Sequence, residues 1–213
     1  MKRMLRLFRL AAVAGLAACS STPLHYHTLL APAGQGAAAA QPAPFLIEVL
    51  PVGIPVQLDQ PQLVVRQGDS SIALLEGERW AGPLDDEVRA ALSANLTQRL
   101  ATQDIAGLAR PGDKPVMRIK LQVRRFDIWP GQRAQLDADW SLGLADEAGH
   151  ARLTCRGRFD MATPGGYPAQ VQGQQRLIAA LADRIAADAR AWSRSRQAGC
   201  SIMPSTAGAI SGG

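Results

Sequence analysis

Few side chains in this sequence are placed to do chemistry. Three cysteines occur, Cys19, Cys155 and Cys200. Cys19 follows two small residues in the order Leu16-Ala17-Ala18-Cys19, which lets a peptidase groove accept the chain and leaves the thiol at the cut. His25 and His27 lie two residues apart, so a strand would put both rings on one face, a spacing that can bind metal. No third ligand cluster accompanies them, and the remaining histidine, His150, falls in a turn. The pair is therefore read as part of an exposed edge strand, with no metal site. Serine, histidine and aspartate all occur, but without a Gly-x-Ser-x-Gly elbow. Phosphate loops, dinucleotide fingerprints and zinc spacings are lacking too. The sequence points to no enzyme and no cofactor, and its expected chemistry is that of the Cys19 sulfur.

Before Cys19 stands a basic stretch, Met1–Arg9, with Lys2, Arg3, Arg6 and Arg9, followed by the short apolar run Leu10–Leu16. That run is too short and too one-sidedly charged to span a membrane, so residues 1–18 read as a secretory signal peptide. The Leu-Ala-Ala-Cys order is similar to a bacterial lipobox. The resemblance implies diacylglycerol on the Cys19 sulfur, cleavage after Ala18 and acylation of the new amino terminus. Ser20, where an aspartate would signal inner-membrane retention, favours the outer membrane, with the folded part at its periplasmic face. Removing 18 of the 213 residues leaves 195, and the formal charge of +5 falls to +1 because the leader carries four basic residues and no acid. The basic balance thus belongs to the export signal, which removes the main support for a nucleic-acid partner. The remaining length suits one domain with a real core.

Residues 19–44 read as the lipidated cysteine and a Pro-, Gly- and Ala-rich tether, with a short strand at Leu24–Leu30 between two flexible pieces. Residues 45–196 carry the periodicity of a folded domain. Phe45–Pro51 is a compact apolar strand, and Pro51, Pro55 and Pro61 then exclude both helix and central strand. Gln62–Arg66 and Ser71–Leu75 flank Gly68-Asp69 and predict a hairpin. Pro83 is expected at the first helical position, before Asp85, Asp86 and Glu87. Leu84, Val88, Ala91, Leu92, Leu96 and Leu100 then recur at helical spacing. Trp80 is expected to cap the core beside that helix start.

Three strands follow. Met117, Ile119, Leu121 and Val123 alternate with Arg118, Lys120, Gln122 and Arg124, and a phase slip at Arg124-Arg125 predicts a bulge before Phe126 and Ile128. Leu136, Ala138, Trp140, Leu142 and Leu144 form the next apolar face, and Leu153, Cys155, Phe159 and Met161 the third. The polar face collects Arg118, Lys120, Arg124, Arg156 and Arg158, a set that would suit phosphate or lipid headgroups. A simple register instead pairs Asp139 with Arg156 and Asp137 with Arg158, with Asp137 also in reach of Arg124, and cross-strand pairing is the preferred reading. A second helix is predicted over Val171–Trp192, with Gln174, Arg176, Asp183, Arg184 and Asp188 outside. Residues 197–213 are expected to be disordered. The fold class is α/β (α+β), a twisted, mostly antiparallel or mixed sheet with two long helices packed on one face. With Cys19 acylated, Cys155 and Cys200 either form a disulfide or remain a buried and a free thiol.

Several stretches resemble the PqiC (YmbA) family of ABC-type transport auxiliary lipoproteins. They are Leu50-Pro51-Val52 with Ile54-Pro55, then Leu58-Asp59-Gln60-Pro61-Gln62-Leu63-Val64-Val65-Arg66 and Arg79-Trp80-Ala81-Gly82-Pro83-Leu84. Helical Asn95-Leu96 and the Tyr26-x-Thr28-Leu29 piece add to the likeness. The resemblance implies a non-catalytic adaptor in a lipid-trafficking and envelope-integrity system. Its partners would be a periplasm-spanning MCE-domain protein and an inner-membrane component, and the lipoprotein would itself form a homo-oligomer. Pro51, Pro55, Asp59, Pro61, Arg66, Arg79 and Trp80 are the contact residues this implies. A stand-alone lipid-binding lipoprotein is the alternative, and a membrane-bound hydrolase a weaker one.

Overall fold

The computed structural model describes residues 23–32, 41–145 and 152–201. Its elements are β1 (His25–His27), β2 (Leu46–Val49), β3 (Gln62–Arg66), β4 (Ile72–Trp80), α1 (Leu84–Leu100), β5 (Val116–Trp129), β6 (Arg133–Leu144), β7 (Arg152–Ala162) and α2 (Tyr167–Arg194). Ala18, Cys19, His150, the turn at 146–149 and the tail at 202–213 lie outside the described residues. The class is mixed α/β, as the periodicity predicts, with its strands divided between two sheets. The larger has the order β2-β5-β6-β7 and the smaller β1-β4-β3. β2 runs parallel to β5 and β1 parallel to β4, and every other pairing is antiparallel.

Alternation gives the large sheet its two faces. Leu136, Ala138, Trp140 and Leu142 point inward from β6, while Asp137, Asp139 and Ser141 point outward. On β5 the register steps from Val123↔Ala138 to Arg125↔Asp137, leaving Arg124 as the extra residue of a bulge. Both arginines therefore face outward, and Phe126 and Ile128 return to the core. The helices cover the inner face and pack on each other, α2 over β6 and β7 and α1 beside β2. Trp140 and Trp192 are both fully buried between these layers.

Several boundaries differ from the sequence reading. β4 runs from Ile72 through Arg79 and Trp80, beyond the end of the Ser71–Leu75 strand that the sequence predicts. Pro83 caps α1 and Leu84 opens it. α2 begins at Tyr167, upstream of Val171, because Pro168 in the first turn lacks an N–H that has no intrahelical acceptor anyway. Gln174 and Asp188, placed outside by helical spacing, are buried. Asp188 Oδ2 accepts from Trp140 Nε1 at 3.0 Å and Oδ1 accepts from the Ser201 amide at 2.7 Å, so its carboxylate joins α2, β6 and the chain after the helix. Gly173 lets α2 close on the end of β7, since a Cβ there would lie 2.1 Å from Thr163 Cγ2. Residues 197–201, expected in the tail, are tied down by that Ser201 contact and by a Cys155–Cys200 disulfide with a Cα–Cα separation of 5.7 Å.

The N-terminal segment is also folded onto the body, not free as its composition predicts. Glu87 Oε2, in the first turn of α1, accepts from Thr28 Oγ1 at 2.7 Å and from the Leu29 amide at 2.8 Å. Gln175 Nε2 of α2 donates to the Thr28 carbonyl at 3.0 Å, and the Leu29 side chain is buried in the core. Removing a carboxylate that accepts from a partly buried amide costs about 1–3 kcal/mol. Glu87→Ala should therefore speed amide hydrogen exchange at Leu29 and Leu30, and unchanged protection would contradict the clasp. The disulfide closes a loop with a sequence separation of 45. Cys200→Ser should lower unfolding free energy by about 2–4 kcal/mol in a urea titration, and thiol titration of the unfolded wild-type domain without reductant should find Cys155 and Cys200 unreactive.

Candidate functional site

The Pro-rich stretch after β2 is held against β5 without being a strand. Pro51 lacks the N–H a ladder would need, so regular pairing stops at Val49. The chain nevertheless stays in register. The Leu50 amide donates to the Ile119 carbonyl at 3.0 Å, the Gly53 amide to Leu121 at 3.1 Å, and the Gly53 carbonyl accepts from Val123 at 2.8 Å. A Cβ at Gly53 would sit 2.2 Å from Gln122 Oε1, so a side chain there would have to displace the end of the Gln122 side chain. A 3-10 turn over Val56–Leu58 follows, burying Leu58 and leaving Val56 83% exposed. The segment then crosses from the large sheet into β3 of the small one.

The seven contact residues implied by resemblance separate into two groups here. Pro51, Asp59 and Pro61 are exposed and Pro55 is half-buried, all on this crossing segment. Arg66, Arg79 and Trp80 serve the interior. Arg66 Nε donates to Asp127 Oδ2 at 3.0 Å, a pair that ties β3 to β5. Arg79 is half-buried, and its Nε has no hydrogen-bond partner. Trp80, 5% exposed, packs with Leu58, Val64, Leu84 and Phe126 as the expected core cap, and so has no surface to offer a partner. Val56 is the contact candidate the motif reading missed. With Ile54 and Leu58 at strand spacing on either side of it, nothing in the local sequence marks Val56 as exposed.

The outer face of the large sheet is a ladder of guanidinium and carboxylate groups. Asp139 sits between Arg124, whose Nε donates at 2.8 Å, and Arg156, whose Nε donates at 2.5 Å. Asp137 accepts from Arg158 Nε at 3.0 Å and lies 3.5 Å from Arg125 Nε. Two of the expected pairs are thus present, whereas Arg124 reaches Asp139 and not Asp137, because the bulge gives the Asp137 register position to Arg125. A groove of about 450 Å³ runs among these side chains. Beside β1, Glu78 accepts from His25 Nδ1 at 3.1 Å and His27 Nε2 at 2.5 Å. Burial works to raise the Glu78 pKa, but the hydrogen bonds from His27 and then His25 outweigh it and leave it below the ordinary glutamate value. Among the described residues no group of three or more His, Cys, Asp or Glu is placed to hold a metal ion. No helix among them is long and apolar enough to cross a membrane.

Residues 27–186 match the family of ABC-type transport auxiliary lipoprotein components. The chain belongs to that family. The match begins within β1 and ends within α2, so it spans both sheets and includes the Pro-rich crossing. The auxiliary lipoprotein shares its fold with two crystal structures. One, of an uncharacterized protein, is 18% identical with a TM-score of 0.61, covering 78% of this chain and 99% of the other. A second, from Xanthomonas campestris, is 15% identical with a TM-score of 0.57, covering 83% and 100%. No curated protein matches the sequence.

The Arg156 hydrogen bond, reinforced by Arg124 against the opposing effect of burial, holds the Asp139 carboxyl at about 2. The unfolded value is about 3.9, so the carboxylate stabilises the lipoprotein above that pH, and the contribution disappears as pH falls toward 2. Asp139→Asn should flatten the loss of urea stability between about pH 4 and pH 2, and an unchanged pH slope would contradict the pairing.

Proposed function

We propose that this auxiliary lipoprotein is a non-catalytic adaptor, anchored by acylated Cys19 to the outer membrane at its periplasmic face. It would serve an MCE-type, Pqi-like lipid transport and envelope-integrity system. Its partners are a periplasm-spanning MCE-domain protein and, through it, an inner-membrane component, with the adaptor acting as a homo-oligomer. Membership of the transport auxiliary family over residues 27–186 is the observation that carries the reading.

The physical features agree with docking. A segment with three prolines, hydrogen-bonded to β5 through Gly53, presents Val56, Asp59 and Pro61 in a fixed conformation. Such preorganisation lowers the entropy cost of binding a partner. A stand-alone lipid carrier needs an apolar cavity between helices and sheet. The cavity beside Trp80 has a volume of about 10 Å³, whereas a single water already needs about that much. The core between α1, α2 and the large sheet is filled by Trp140, Trp192, Leu92 and Leu96.

Two measurements test the proposal. Cys19→Ala should remove the protein from the outer-membrane fraction, since the variant lacks the acyl chains that anchor it there. Persistence of the variant in the outer-membrane fraction would contradict anchoring through Cys19. Affinity capture of the tagged wild-type lipoprotein from gently solubilised envelopes should bring down an MCE-domain protein, and repeated capture without one would overturn the adaptor assignment.

A further inference from the structure

Leu24 is five residues on from Cys19, a reach of about 18 Å at full extension. The leash ends there, because β1 pairs with β4 and the residues just beyond it are clasped by Glu87 and Gln175. A domain of this length is about 40 Å across. A leash shorter than half that width keeps the β1 side of the body beside the membrane surface and withholds the opposite side from it.

That side brings exposed apolar side chains and a cation together. Leu24 and Tyr26, on one side of the strand, are 46% and 64% exposed, and Leu30 is 47% exposed. Tyr26 and Leu30 border a groove of about 570 Å³ that also takes in Pro32, Pro168, Arg99 and Arg176. No carboxylate lines it. Arg99 is matched by Asp183, which leaves the exposed Arg176 as a cation with no carboxylate partner among the described residues. A second open groove, on the outer sheet face, is lined by Arg124, Arg156 and Arg158, but Asp137 and Asp139 already occupy these guanidinium groups.

We propose that this face, with Leu24, Tyr26 and Leu30 as its apolar contacts and Arg176 as its headgroup contact, lies directly on the bilayer that holds the Cys19 acyl chains. A tyrosine suits that boundary because its ring is apolar and its hydroxyl stays wet. A guanidinium without a carboxylate partner can bond a lipid phosphate through two N–H groups. The contact deepens the anchoring proposal and rests on acylation of Cys19. It fixes the orientation of the domain, so that the face away from β1 is turned toward the periplasm.

The test uses the full acylated lipoprotein, purified from envelopes and reconstituted into phosphatidylcholine–phosphatidylglycerol vesicles with or without brominated acyl chains. Tyr26→Trp and, separately, Leu30→Trp add an emitter at the face; of the four native tryptophans Trp80, Trp140 and Trp192 are buried, and the half-buried Trp129 at the end of β5 is common to wild type and variants. Flotation of each sample reports anchoring independently of contact. In floated protein the added emission should fall by about half in brominated vesicles, as expected for a ring held about 5–10 Å into the headgroup–acyl boundary. Floated protein in which neither added tryptophan is quenched beyond wild type would overturn the contact and leave anchoring intact. Protein that fails to float would overturn both.

Discussion

The carboxylate of Glu87 determines where the folded body begins. By accepting from the Thr28 hydroxyl and the Leu29 amide, it fastens the chain just beyond β1 to the first turn of α1. The same turn starts beside Trp80, the last residue of β4 and the register partner of His27. The smaller sheet, the helix start and the N-terminal segment therefore form one unit, closed underneath by the side chain of Leu29. Helix geometry contributes to this strength. Glu87 lies in the first turn, where the dipole favours negative charge. Without that fastening, the residues just beyond β1 would be held to the body only through Gln175 and the buried Leu29 side chain.

The large sheet supplies a different constraint. Its inner face is apolar and covered by two helices, while its outer face is neutralised in pairs by arginines and aspartates on adjacent strands. Exposed ion pairs of this kind contribute little to stability one by one. Their effect is to let a row of guanidinium groups stand on an open sheet without self-repulsion and without an apolar patch. The Pro-rich crossing lies at the other border of the sheet, along β5, where it presents apolar and acidic side chains from a fixed backbone. The adaptor reading thus places partner contact on the crossing, and anchoring beside β1.

Much of this fold was legible in the sequence because its periodicities are local. The two-residue alternation of Met117–Val123 and Leu136–Leu144 gave strand faces directly, and the slip at Arg124-Arg125 marked the bulge. The same local view misassigned the partner of Arg124, since a bulge changes register on one strand only. Asp188 was placed outside by helical spacing, and no local signal says that an indole from β6 and an amide beyond α2 converge on it. The parallel pairing of β1 with β4, across some fifty residues, is non-local in the same sense, so the segment after Cys19 read as tether. At the candidate site, the motif residues fell near one another in sequence, yet burial separates Trp80 and Arg66 from the exposed Pro51, Asp59 and Pro61. Val56 went unremarked because exposure of a single apolar residue has no sequence period.

The central claim, that the crossing segment meets an MCE-domain protein, is tested most directly by photo-crosslinking in intact envelopes. A photoreactive residue at Val56 should yield an adduct identified by mass spectrometry as the MCE-domain protein, and the same residue at Arg158 on the outer sheet face should not. Absence of that adduct from Val56, or its formation from Arg158 instead, would contradict the account.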